Sequence, residues 1–243
     1  MSTEDKNTEH EDTQAGEEVV DSGSTDVEVR EGESSEPEID DAKSAPADRE
    51  TEGPFDVAEV PAMRPYVDLG GIKVAPREGL QLRLEVEERT SRVVAVSLDY
   101  AGSVLQVQAF AAPKTTGLWG QVRAELTQQM TAQGAKVSEE QGPLGTELLV
   151  RSQAPAGQGG GESVVRFIAV DGPRWMLRGV IMGKAASDEA KRADTIELFR
   201  ELVVVRGDQP MPPSELIPLK VPAGVQTGNQ PGAAGGQDPV QQA

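Results

Sequence analysis

Val170-Asp171-Gly172-Pro173-Arg174-Trp175-Met176-Leu177-Arg178-Gly179-Val180-Ile181-Met182-Gly183 is the stretch on which the reading of the fold turns. It contains a turn at Gly172-Pro173, one of two tryptophans, and a run too apolar for an edge strand. Strands buried on both faces carry such near-continuous apolar runs, so a central strand is expected here. Residues 164–171 supply its neighbour. A two-residue loop at Gly172-Pro173 sets Val170 opposite Trp175 and Ile168 opposite Leu177 on the core face. The other face then holds Asp171 with Arg174, Ala169 with Met176, and Phe167 with Arg178, which predicts an Asp–Arg pair and an arginine over a ring.

A second hairpin is read the same way. Residues 93–98 and 104–111 flank Ala101-Gly102. Leu98 then meets Leu105, Val96 meets Val107 and Val94 meets Ala109, while Ser97 with Gln106 and Ala95 with Gln108 fall on the opposite face. Slipping one residue would turn every side chain over and destroy this agreement. Leu80, Leu82, Leu84 and Val86 alternate with polar residues and predict another strand with one dry face. Residues 66–74 read as a strand interrupted at Gly70-Gly71, as at a bulge.

Thr115 or Thr116 is the expected N-cap of a helix whose stripe is Leu118, Trp119, Val122, Leu126 and Met130, ending at Gly134. Trp119 is expected to pack on the sheet. Short strands follow at residues 136–140 and 147–151. Ser187-Asp188 opens a second helix, with Ala190, Ala193, Ile196, Leu198, Phe199 and Leu202 on its apolar side. Val203-Val204-Val205 reads as a short strand. Residues 211–222, broken by prolines, are extended and lie against the body. Together these predict an α+β domain at 53–222, an antiparallel sheet of hairpins covered by two amphipathic helices in one main layer. The order of elements resembles the PsbP-like sandwich.

Charge separates the ends from this domain. Of 41 acidic and 23 basic residues, nineteen and four lie in residues 1–52, so −15 of the net −18 belongs to that segment. It is read as an acidic disordered tail, and 223–243, rich in Gly, Gln and Pro, as a second one. Thr8, Thr13, Ser24, Thr25, Ser34 and Ser35 are candidate phosphorylation positions in the acidic segment. The near-neutral remainder lacks the basic stripe that nucleic acid requires, so no nucleic-acid partner is expected. The first fourteen residues are polar and acidic, without the apolar core of an export signal, and no membrane-length apolar run occurs. A cytoplasmic protein with no membrane partner is expected.

The sequence has no cysteine, and its one histidine is His10. Thiol nucleophiles, imidazole acid–base chemistry and Cys or His metal sites are therefore absent from the domain. No catalytic residue, metal or cofactor is assigned. The glycine run from Pro155 to Gly161 has no following Lys-Ser/Thr and no helix behind it, so it is a loop rather than a phosphate cradle. Arg174 and Arg178 are the candidate ligand-binding pair. On one strand face they would stand about 13 Å apart and could hold an anion.

Several separate blocks carry a family resemblance: Gly53-Pro54-Phe55-Asp56, Val67-Asp68-Leu69-Gly70, the run from Gln106 to Trp119, Asp171-Gly172-Pro173-Arg174-Trp175-Met176-Leu177-Arg178-Gly179, and Pro210-Met211-Pro212-Pro213. In order, they resemble an actinobacterial domain-of-unknown-function family, number 3710. That resemblance implies an acidic variable N-terminal segment and a cytoplasmic setting, and no activity. The leading functional expectation is a non-enzymatic module binding an unknown protein partner. The alternatives are an anionic small-molecule binder or carboxylate-based enzyme using Arg174 and Arg178, and an adaptor regulated by phosphorylation of the acidic tail.

Overall fold

The computed structural model describes residues 41–153 and 161–222. Seven strands form the main sheet: β4 (Gln81–Glu87), β5 (Arg92–Tyr100), β6 (Ser103–Ala111), β7 (Lys136–Gly142), β8 (Gly145–Gln153), β9 (Glu162–Asp171) and β10 (Trp175–Gly183). Their order is β4-β5-β6-β10-β9-β8-β7, all antiparallel. One meander runs from β4 to β6. Helix α2 (Trp119–Ala132) carries the chain to the far edge, and a second meander returns from β7 to β10. β10, the strand of the opening stretch, is fourth of seven and therefore central.

Around this lie α1 (Arg49–Glu52), α3 (Lys184–Ser187), α4 (Glu189–Arg200) and a small sheet. The small sheet has the order β1-β11-β3-β2, from β1 (Phe55–Asp56), β2 (Val67–Asp68), β3 (Ile72–Val74) and β11 (Val203–Val204). β2 and β3 pair antiparallel, so Gly70-Gly71 is the turn of a tight hairpin and not a bulge in one strand. Asp188 caps α4 as expected, accepting from the Lys191 amide.

The β5–β6 register agrees with the sequence reading where the strands pair: Leu98 with Leu105, Ser97 with Gln106, Val96 with Val107. Pairing stops there. Beyond it residues 214–217 take the place of β5 beside β6, with Ile217 N–H on the Ala109 carbonyl and Ala111 N–H on that of Glu215. The expected contacts of Val94 with Ala109 and Ala95 with Gln108 are therefore replaced. The proline-rich segment does lie on the body.

The β9–β10 register differs by two residues from expectation. Val170 meets Leu177 and Ala169 meets Arg178. The Gly172 amide donates to the Trp175 carbonyl, so the turn includes Trp175 and is longer than Gly172-Pro173 alone. A shift of two keeps each side chain on its face. Ile168, Val170, Trp175 and Leu177 are all fully buried on the expected side. Partners change, however, and the consequences for the arginines follow below.

The core has two parts, one on each face of the sheet. On one face Val96, Leu98, Leu105, Val107, Ile168, Val170 and Leu177 pack under Ile196, Leu198 and Phe199 of α4 and under Ile72, Val74 and Val204 of the small sheet. On the other, α2 sets Leu118 and Trp119 on Leu148, Ala169 and Met176, with Phe110, Val122, Leu126 and Phe167 at the margin. The two helices thus cover opposite faces, correcting the single helix layer expected. Ala190 and Ala193 are exposed, and Ala185 and Ala186 of α3 fill the core instead.

Order also starts before Gly53. Arg49 of α1 is 7% exposed. Its guanidinium reaches Glu59 at 2.6 and 2.8 Å and lies 6.0 Å from the Trp175 ring. Ahead of it, residues 41–44 strap across the end of β9. Gly117 N–H donates to the Asp41 carbonyl and Asp171 N–H to that of Ser44. Residues 41–52 therefore belong to the folded body, contrary to the expected boundary. Residues 1–40, 154–160 and 223–243 lie outside the described residues. No helix among the described residues is long and apolar enough to cross a membrane.

Candidate functional site: the groove under α2

α2 begins without a cap from its own sequence. Neither Thr115 nor Thr116 serves: Leu118 occupies the N-cap position and its side chain bonds nothing there. The carboxylate of Asp171 does the work from the end of β9. It accepts from Leu118 N–H at 3.0 Å, Trp119 N–H at 3.4 Å and the strap's Ser44 N–H at 3.0 Å. Negative charge at a helix N-terminus satisfies amides that have no partner inside the helix. Burial pushes the Asp171 carboxyl above the ordinary aspartate range, against the opposing pull of these amides and of Lys43. Lys43 itself bonds the carbonyls of Gly172 and Pro173. Trp119 is wholly buried, its indole N–H donating 2.7 Å to the Thr146 carbonyl, so it packs on the sheet as expected.

Anchored at this end, α2 leaves a groove of about 400 Å³ between its side and the sheet. Clefts of a few hundred Å³ are the usual size for small-molecule sites. Phe110, Met176 and Arg178 come from the sheet, Leu118, Val122 and Leu126 from the helix, and Ser214 from the proline-rich segment. Gln121, Glu125 and Gln129 add polar groups. Gln121 donates to Glu125 at 2.8 Å.

Arg178 is the cation of this groove. Even-numbered residues of β10 face α2, which places Arg178 beside Met176 on that side. It stacks over Phe110 at 5.2 Å, not over Phe167 as the shorter turn implied. It donates through Nη2 to the amide oxygen of Gln108, and Gln108 in turn donates to the Val94 carbonyl at 3.1 Å. Among the described residues no carboxylate pairs with it, and its Nε–H is buried without an acceptor. Burial lowers its pKa from the ordinary arginine value.

Arg174 does not join it. Its guanidinium donates to the Gly207 carbonyl at 3.1 Å and lies 3.7 Å from Asp208, and it does not line the groove. The expected pairing of Arg174 with Asp171 is absent because Asp171 is committed to α2 and the strap. A buried ion pair occurs on the other face: Arg166 bonds Glu147 at 2.9 Å and Glu140 at 2.9 Å. Burial pushes the Glu147 carboxyl up despite Arg166. With Arg166 and Glu147 almost fully enclosed, this pair is structural.

The groove presents one cationic side chain, Arg178. It contains one carboxylate and one hydroxyl but no nucleophile hydrogen-bonded to a base. Among the described residues no group of three or more His, Cys, Asp or Glu side chains is placed to hold a metal ion. The glycine run from Pro155 falls almost wholly outside the described residues. Sequence reasoning singled out Arg178, which lines the groove, but not Phe110, Gln108 or Ser214 beside it. Phe110 and Gln108 were legible as even-numbered residues of β6, while Ser214 arrives by a docking that no periodicity signals.

A family model described as "Protein of unknown function (DUF3710)" matches residues 53–228. No curated protein and no solved structure matches the chain.

Proposed function

We propose that this chain, which belongs to the DUF3710 family of proteins of unknown function, is a binding module for an anionic small molecule held in the α2 groove. The observation that carries the reading is Arg178, a desolvated guanidinium with no carboxylate partner among the described residues, in a cleft lined by apolar and polar side chains. A buried cation costs free energy unless it is paired, and a bound anion supplies the pair. The binding role is assigned to Arg178 alone, since Arg174 is engaged elsewhere. A non-catalytic role accords with a lining that offers no nucleophile–base pair. A cytoplasmic setting is part of the proposal, and cell fractionation tests it.

The protein-partner role expected from the sequence has no comparable observation behind it. The candidate phosphorylation positions lie outside the described residues. The test is a thermal-shift screen of the full chain against organic anions, repeated with Arg178→Met. A ligand at about 100 times its dissociation constant stabilises the folded state by about 2.7 kcal/mol. Hits that vanish in Arg178→Met support the reading. An identical hit pattern in both proteins overturns it.

A further inference from the structure

Resting on that reading, we propose that the ligand is a monoanionic carboxylate with an apolar body, of the kind a medium-chain fatty acid presents. Three observations on the groove point there. First, it holds a single cation, Arg178, and on the helix side a carboxylate, Glu125. Glu125 repels any anion there, but a monoanion is balanced by Arg178 alone, whereas a dianion such as a phosphate monoester would keep one charge unpaired. Second, the guanidinium's one hydrogen-bond acceptor among the described residues is a neutral amide, that of Gln108, and no carboxylate answers it. A planar carboxylate matches a guanidinium in a two-bond fork. Third, half of the lining side chains are apolar and suit a hydrocarbon chain. Phe110 and Met176 form the floor, and Leu118, Val122 and Leu126 form the wall. Val122 and Leu126 sit on a helix stripe yet remain half-buried, so apolar surface there is left for a ligand to cover.

The experiment is isothermal titration of the full chain with sodium octanoate, 1-octanol, octyl phosphate and inorganic phosphate. It is repeated with Arg178→Met and with Val122→Trp, which fills the groove from the opposite wall without touching Arg178. Circular dichroism checks folding of each variant, and Val122→Trp decides the matter should Arg178→Met fail to fold. The expected result is that octanoate binds, octanol binds about ten- to a hundredfold more weakly, as loss of a charged hydrogen-bonded group implies, and both variants abolish the octanoate signal. Octyl phosphate or inorganic phosphate binding in preference to octanoate, with the same dependence on the variants, overturns the carboxylate class and leaves the anion-binding reading standing. Equal binding of octanol and octanoate overturns the role of charge and with it both proposals. So does the absence of any signal that depends on the two residues.

Discussion

Replacing Asp171 by alanine removes the one group that joins the strap, β9 and the start of α2. Its two short bonds, at 3.0 Å to the Leu118 and Ser44 amides, are charge-assisted, and the third, to Trp119 at 3.4 Å, is weak. Hydrogen bonds to a charged group contribute roughly 1.5–3 kcal/mol each, which gives about 3–6 kcal/mol for the two. Removing the buried carboxylate also returns its desolvation cost, so the lower end applies, and Asp171→Ala is expected to lose about 3 kcal/mol. Asparagine should not rescue it. Oδ1 serves Leu118 while Oδ2 serves Ser44 and Trp119, so either orientation of an amide turns its NH2 toward an N–H donor. Urea denaturation followed by circular dichroism measures both variants against the parent. A loss under about 1 kcal/mol for alanine, below even a typical N-cap deletion, would refute the reasoning; so would an asparagine variant as stable as the parent.

Gly172 lies against the Trp175 ring so closely that an added Cβ would stand 2.2 Å from Cε2. Gly172→Ala should therefore cost about 3 kcal/mol through overpacking and alter tryptophan fluorescence; an unchanged denaturation midpoint would count against this turn geometry. Glu59 tests pH dependence. Burial tends to raise its pKa, but the bonds from Arg49 and the Asp56 amide outweigh burial and hold it below the ordinary glutamate value of 4.5. The depressed value means its contribution is present above that range and is lost as pH falls through the folded pKa. The stability difference between the parent and Glu59→Gln, about 2 kcal/mol at neutral pH, should shrink on acidification, and a difference constant down to pH ~3 would contradict the pairing. Arg178→Met should leave the unliganded protein as stable or slightly more stable, since an apolar side chain there buries no charge; a loss above about 2 kcal/mol would mark Arg178 as structural.

What the sequence made legible was set by periodicity. Alternation fixed the faces of β5, β6 and β10 because a face survives any even slip. It could not fix the length of the turn after Asp171, since Gly172-Pro173 fits a two-residue loop locally and only the Gly172–Trp175 bond extends it. That slip of two took Arg178 away from Phe167, leaving it over Phe110 of β6, and freed Asp171 for α2. The cap itself is a contact across 53 residues of chain, beyond the reach of local capping rules, which pointed to Thr115 and Thr116. Nor could two amphipathic stripes say which face each helix covers. That depends on α2 crossing one side of the sheet and α4 folding back over the other.

The identity of residue 178 then becomes the informative choice. Three other arginines of the fold are answered by carboxylates: Arg49 has Glu59, Arg77 has Glu197 and Glu201, and Arg166 has Glu147 and Glu140. Arg178 receives a neutral amide and a ring. Leucine or methionine at that position would pack on Phe110 and Met176 without desolvating a charge. On the proposed reading, a charge kept there at a cost to stability has its use when an anion arrives, and the groove beside it is where that anion would sit.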